Sequence, residues 1–154
     1  MTREEFTESV LQAESSLYRV AKSILHNDED CADAIQSTIL IAYTKLDTLK
    51  HEQYFKTWLT RILMNECFKM LQGKKEQIPY EPYMAEQKQE ENVSQIYEAL
   101  MELEEKYRIP FVLFYVEGYS VLEIHQMLDI SVSNVKVRLH RARRVLQDKL
   151  KGEK

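Results

Sequence analysis

YSVLEIHQMLDISVSNVKVRLHRARRVLQDKL, residues 119–150, is the stretch that decides the fold of this chain. Ser120 and Glu123 have the S-x-x-E spacing of a capping box, in which each side chain satisfies the other residue's free backbone N–H. A short helix therefore starts here, carrying Leu122, Ile124, Met127 and Leu128, and stops near Asp129. Ser131 is the N-cap of a second helix, in which Val135, Leu139, Ala142, Leu146 and Leu150 recur at spacings of four, three, four and four and make one buried stripe. At about 100° per residue, Ser133, Val137, Arg141 and Arg144 face away from that stripe with His140 beside them, and Lys136, Arg138 and Arg143 flank it. Two helices joined by a turn of about three residues, the second basic outside and apolar inside, form the arrangement a helix-turn-helix needs to seat in a DNA major groove.

A merely solvated basic face would show the same periodicity, so charge has to separate the readings. Residues 132–151 hold the bases Lys136, Arg138, Arg141, Arg143, Arg144, Lys149 and Lys151 against the acid Asp148, a net +6 inside a chain of net charge -4. Segregation of that kind is an electrostatic footprint for phosphate.

The rest of the composition bounds the class. At 154 residues with 44% hydrophobic content, the chain is globular and holds one ordinary domain or two small ones. Only three glycines and three prolines, with long helical periodicities, predict an all-α protein. No run approaches the length of a membrane span, and MTREEFTE has no basic-then-apolar leader, so a soluble, cytoplasmic protein is expected. Cys31 and Cys67 lack C-x-x-C spacing and sit at apolar helical positions, which assigns them to core packing. His26, His51, His125 and His140 have no ligand spacing either; no metal and no cofactor is expected. Neither a nucleophile-base pair nor a Gly-rich phosphate loop is present, so the chain is not read as an enzyme.

Before the helix-turn-helix, three further helices are predicted. Thr2 and Glu5 make a capping box for the first, whose Phe6, Val10, Ala13, Leu17, Ala21 and Ile24 form its apolar stripe up to an end near Leu25. Asn27 caps the second, with Asp28, Glu29 and Asp30 in its first turn and Cys31, Ile35, Thr38, Ala42 and Leu46 as its core stripe. The third runs from about residue 53 to 72 with a wide apolar face of Phe55, Trp58, Leu59, Ile62, Leu63, Cys67 and Leu71, and Gly73 is its expected stop. Periodicity fails over residues 74–92, which contain Pro79, Pro82 and EQKQEEN and read as a flexible linker. Val93, Ile96, Leu100 and Leu103 begin the second domain, where Pro110 is expected to kink a helix or mark its restart.

Several of these stretches resemble a known family. EGYSVLEIHQMLDISVSNVKVRLHRARRVL is similar to region 4 of bacterial RNA polymerase sigma factors of the extracytoplasmic-function group, whose pattern reads roughly EG-S-EIA-LGIS-TVKSRLHRAR. Asp129 stands at the family's usual glycine, and Asn134 and Val137 at its threonine and serine; Asp tolerates left-handed backbone, so the turn survives. LYRVAKSIL followed by DEDCADAIQSTILIAY resembles the region 2 segment that grips the polymerase clamp, with Asp33 and Gln36 at polar positions of the motif but Ala32 and Ser37 replacing two glutamates. YFKTWLTRILMNECFKML resembles the FKTWLYRIARN stretch of the same region at Phe55, Lys56, Thr57, Trp58, Leu59, Arg61, Ile62 and Asn65. Glu104 stands where the family often has proline.

The resemblance implies a fold of two small helical domains, a three-helix region 2 bundle over 1–73 and a helix-turn-helix region 4 over 93–151, joined by an acidic linker over 74–92. It implies core RNA polymerase, promoter DNA and an anti-sigma factor as partners, with no small-molecule substrate. Asp33 and Gln36 would touch the polymerase; Lys50, Tyr54, Lys56, Arg61 and Asn65 would meet the minus-10 element, where Tyr54 and Phe55 offer a stacking surface for an unstacked base. Ser133, Asn134, Lys136, Val137, Arg138, His140, Arg141 and Arg144 would meet the minus-35 element. Charge is distributed accordingly, with -5 over residues 1–49, +4 over 50–75 and -8 over 76–105. That acidic run is either a solvated linker or a strand mimic passing through basic channels of the polymerase. The linker's roughly 19 residues span about 25 Å as coil and ~65 Å extended, so it must be drawn out when both promoter elements are bound. Two rival readings are a stand-alone helix-turn-helix regulator, which normally dimerises, and a helical interaction protein without DNA contacts.

Overall fold

Thr2 Oγ1 accepts from the Glu5 amide at 3.1 Å and Glu5 Oε2 accepts from the Thr2 amide at 3.1 Å, and helix α1, Arg3–Leu25, grows from that reciprocal cap. The structure is a computed structural model and describes residues 1–76 and 95–152. α1 stops because His26 turns left-handed at φ 63°, and Asn27 caps α2, Asp28–Thr44, by accepting from the Asp30 amide at 3.1 Å. Asp28 accepts from Lys22 Nζ at 2.7 Å and from the Tyr18 hydroxyl, which ties the start of α2 to the end of α1. The Lys22 ammonium first, and the Tyr18 hydroxyl second, hold the Asp28 carboxyl below the usual carboxylate range.

Two short 3-10 turns, Leu46–Thr48 and Glu52–Tyr54, lead into α3, Phe55–Glu76. α1, α2 and α3 each pack against the other two, giving a three-helix bundle. Leu17, Leu59 and Leu63 are fully buried in it, each contributing roughly 1.5–3 kcal/mol by leaving water. The predicted stripe of α1 is buried throughout. On α2 the stripe is shifted: Cys31, Ala34, Thr38 and Ala42 are buried, whereas Ile35 and Leu46 are only half-buried. A helix wedged against two neighbours places its small side chains at the line of closest approach, so Ala34 lies inside and the longer Ile35 flanks it. Gly73 does not stop α3, which continues to Glu76. Among the described glycines only Gly118 has the positive φ that a glycine stop uses, so the helix takes the first three residues expected of the linker. The remainder of that linker, residues 77–92, lies outside the described residues.

The described residues group into two compact units, within Met1–Glu76 and within Gln77–Lys154. In the second, α4 (Gln95–Glu102), α5 (Glu105–Phe111) and α6 (Val121–Leu128) all pack on α7 (Val132–Gly152). Ala99, Leu100 and Leu103 meet Val112, Ala142 and Leu146 in its core, with Tyr107, Phe111 and Val145 packed on them. The helical run breaks at Leu103 and Glu104, not at Pro110. Arg108, 4% exposed, explains the break: its guanidinium donates to the Leu103 carbonyl at 2.5 Å and reaches that of Met101 at 3.5 Å, satisfying carbonyls at the end of α4. Pro110 stays inside α5, and the ladder widens just after it into a π turn, Val112–Val116, closed by the Glu117 amide on the Val112 carbonyl at 2.9 Å.

Candidate nucleic-acid interface

The helix-turn-helix is assembled from local signals. Ser120 accepts from the Glu123 amide and Glu123 from the Ser120 amide, both at 3.0 Å, and α6 starts. Asp129 ends it in the left-handed region, at φ 55° and ψ 46°. Ser131 Oγ accepts from the Asn134 amide at 3.0 Å and α7 starts. Val135, Leu139, Ala142 and Leu146 form the buried stripe of α7, while Leu150, expected in that stripe, is 36% exposed.

Away from that stripe Ser133, Val137, His140, Arg141 and Arg144 are exposed, and so are Lys136 and Arg143 on its flank. Val137 is 44% exposed, an apolar patch of the kind that meets a thymine methyl, set among cations. Asn134 and Arg138 are half-buried and joined, Arg138 Nε donating to Asn134 Oδ1 at 3.2 Å. That bond holds the Asn134 amide against the Arg138 guanidinium. The eight residues expected at the minus-35 element thus share one exposed face with a half-buried flank. Their cations attract phosphate; their short polar and apolar groups offer contacts to base edges.

In the first unit the expected residues divide into two places. Lys50 and Tyr54 are exposed around the second 3-10 turn, the Tyr54 ring 56% exposed and edge-on to His51 at 6.0 Å. Phe55 is 6% exposed, with the Phe6 ring at 5.8 Å and the Trp58 ring at 5.9 Å. It belongs to the core, so of the two aromatics expected to offer a stacking surface only Tyr54 is free to do so. Arg61 and Asn65, four residues apart, are exposed on one face of α3. Lys56 is exposed at the helix start, about 140° around the axis from Arg61, on the side of the buried stripe.

Asp33 and Gln36 are exposed on α2, and the same face carries Leu40, 69% exposed, and Tyr43, 49% exposed, at spacings of three, four and three. Sequence reading missed Leu40 and Tyr43. They lie in TILIAY, where nearly every residue is apolar and periodicity cannot say which side faces out. Cys31 and Cys67 are fully buried, and burial pushes their thiols up to about 11 and about 12, the behaviour of packing residues. Among the described residues no group of three or more His, Cys, Asp or Glu gathers to hold a metal, and no helix is long and apolar enough to cross a membrane.

Two family models match the chain. The family model described as Sigma-70 region 2 matches residues 10–76, and that described as Sigma-70, region 4 matches residues 94–146. The ECF RNA polymerase sigma factor SigW of Bacillus subtilis (strain 168) is 26% identical over 169 residues, spanning 97% of this chain and 90% of its own. The ECF RNA polymerase sigma factor SigM of Mycobacterium tuberculosis (strain ATCC 25618 / H37Rv) is 30% identical over 132 residues, spanning 82% of this chain and 67% of its own. Among solved structures, the sigma factor RpoE of Bartonella quintana, crystallised with the anti-sigma factor NepR, superposes with a TM-score of 0.78 at 23% identity and covers 98% of this chain and 99% of its own. CnrH, solved in complex with the cytosolic domain of CnrY, gives a TM-score of 0.73 at 23% identity, covering 99% of this chain and 92% of its own. The chain belongs to the sigma-70 family as an extracytoplasmic-function sigma factor of RNA polymerase, a transcription initiation factor that binds DNA.

Proposed function

We propose that the two units divide promoter recognition between them: residues 1–73 bind core polymerase and the melted minus-10 element, and residues 93–151 read the minus-35 element. The observation that carries this reading is α7, a helix of net charge +6 over residues 132–151 whose apolar stripe is buried and whose Lys136, Arg141, Arg143 and Arg144 are exposed, entered through a capped helix-turn. Ser133, Asn134, Val137 and Arg141 read base edges, while Lys136, Arg138, His140 and Arg144 engage the backbone or the groove margin. In the first unit, Asp33 and Gln36 dock on the polymerase together with exposed Leu40 and Tyr43, which supply apolar area that two polar side chains lack. Tyr54 stacks on an unpaired base beside Lys50, and Arg61 and Asn65 follow the melted strand along α3.

The chain works as a positioning factor in the cytoplasm and performs no reaction of its own. The complexes of RpoE with NepR and of CnrH with CnrY support an anti-sigma partner for this chain as well. A stand-alone regulator is disfavoured by the match of residues 10–76 to region 2, which a self-sufficient DNA binder does not need. Run-off transcription with core polymerase on the promoter upstream of the chain's own gene tests the reading. A specific start site that requires both the chain and the minus-35 element is expected. Operator binding by the free chain without any transcript would instead favour the regulator.

A further inference from the structure

His125, in the last turn of α6, makes three hydrogen bonds to the turn that leads into α7. Its carbonyl accepts from the Asp129 amide and, at 3.3 Å, from the Ile130 amide, while its ring Nδ1 lies 2.5 Å from the Ile130 carbonyl oxygen. A carbonyl oxygen only accepts, so Nδ1 carries a proton and the ring is the donor. Ile130 is therefore gripped through both its N–H and its C=O by one residue. The next residue, Ser131, is the cap from which α7 starts. Between the ends of this grip stands Asp129, whose left-handed backbone strains a Cβ and leaves glycine at ease.

The sequence departs from the family pattern at both places together, reading EIHQMLDIS where the pattern reads EIA-LGIS, with His125 for alanine and Asp129 for glycine. Alanine has no ring to close the third bond, and glycine needs none. Ala142 and Leu146 anchor the later half of α7 in the core with Ala99, Leu100, Leu103 and Val112, and its earlier half is anchored by the buried Val135 and Leu139, with its first turn following directly from the gripped residue. Ser133, Asn134 and Val137 lie in that first part.

We propose that His125 is a positioning residue for promoter reading: its ring N–H bond to the Ile130 carbonyl fixes the turn between α6 and α7 and thereby the seating of the first turns of the reading helix. The inference rests on the reading that α7 contacts the minus-35 element. His125 acts without touching a base, and base preference is set partly by a residue beneath the interface. Because a hydrogen bond tolerates only a few tenths of an ångström, a small swing of the first turn suffices to break a base contact.

The test uses the full chain with core polymerase on a promoter library randomised over the minus-35 element, beside a template that is pre-melted at minus-10 and lacks a minus-35 element. His125→Ala should lower transcription from the preferred promoters about fivefold or more and flatten preference at adjacent base pairs, with transcription from the pre-melted template unchanged. His125→Asn, whose amide nitrogen takes the place of Nδ1, should stay within about twofold of wild type. Adding Asp129→Gly to His125→Ala should restore most of the loss. Wild-type behaviour of His125→Ala on the library overturns the proposal, as does an equal loss for His125→Asn, or a loss that also reaches the pre-melted template and is not rescued by Asp129→Gly. Arg141→Ala, run in parallel, separates the failures: if it alone alters the library profile, only the role of His125 falls; if neither alters it, the reading of α7 falls and the role of His125 with it.

Discussion

Arg141 and Arg143 are both exposed on α7 and differ in where they point: Arg141 leaves from the face opposite Val135, Leu139, Ala142 and Leu146, and Arg143 from the flank. Arg141→Ala is therefore expected to cost about 1–3 kcal/mol of promoter binding and to relax preference at one base pair, as loss of a bidentate guanine contact does. Arg143→Ala should weaken all promoters in parallel and reduce the salt dependence, because phosphate contacts carry no base information. Transcription from a library randomised over the minus-35 element distinguishes the two; parallel losses for both variants would make Arg141 a phosphate anchor. In the first unit, Asp28 provides a pH-dependent tie between α1 and α2. Its carboxyl is depressed below the unfolded value, so its contribution is fully present above about pH 4 and is lost as pH falls through the lower folded value. The side chain is 72% exposed, which limits the contribution to less than about 1 kcal/mol. Asp28→Asn should lower the melting temperature slightly at pH 7 and leave it nearly unchanged at pH 2, a difference that calorimetry at the two pH values reads.

Glu104 caps α5 with φ -57° and ψ 144° and makes no side-chain cap bond, so the helix starts on backbone geometry alone. That φ is the one proline imposes, and proline is the residue the family often has there. Its ion pair with Lys106, at 3.5 Å, lies between exposed side chains and is worth little. Glu104→Pro should raise the stability of the second unit by roughly 0.4–1 kcal/mol through the unfolded chain, and urea unfolding followed by near-ultraviolet signals from Tyr107 and Tyr119 would read it. A loss of stability would mean that Leu103 cannot take the extended backbone proline demands of the residue before it.

Two compact units of fewer than 80 residues each have small cores, and each should hold only a few kcal/mol of stability. Proteolytic cleavage within residues 81–92 is expected to leave two helical fragments that melt cooperatively on their own; loss of cooperative melting in both would mean that the units share one core. The acidity of residues 76–105, net -8, sets a second expectation, since it can compete with DNA for the +6 of α7. The free chain should bind promoter duplex poorly and gain specificity with core polymerase, and binding measured with and without polymerase checks this. Tight, specific binding by the free chain would return the stand-alone regulator to favour.

The first three helices, the helix-turn-helix, their caps and the polarity of α7 were legible in the sequence because each is written in residues no more than four apart: Thr2 with Glu5, Ser120 with Glu123, and the stripe from Val135 to Leu146. Such signals need no partner from elsewhere in the chain. The outward side of α2 was not legible, because TILIAY is apolar on every face and only packing against α1 and α3 leaves Leu40 and Tyr43 outside. For the same reason Phe55 and Tyr54, adjacent aromatics, could not be told apart until the Phe6 and Trp58 rings closed on the first of them. The continuation of α3 through Gly73 and the break at Leu103 were likewise beyond local reading: glycine permits a stop without requiring one, and the chain turns where Arg108 captures the Leu103 carbonyl from five residues away. Burial and capture of this kind depend on which surfaces meet, and that is a property of the folded units rather than of any short stretch within them.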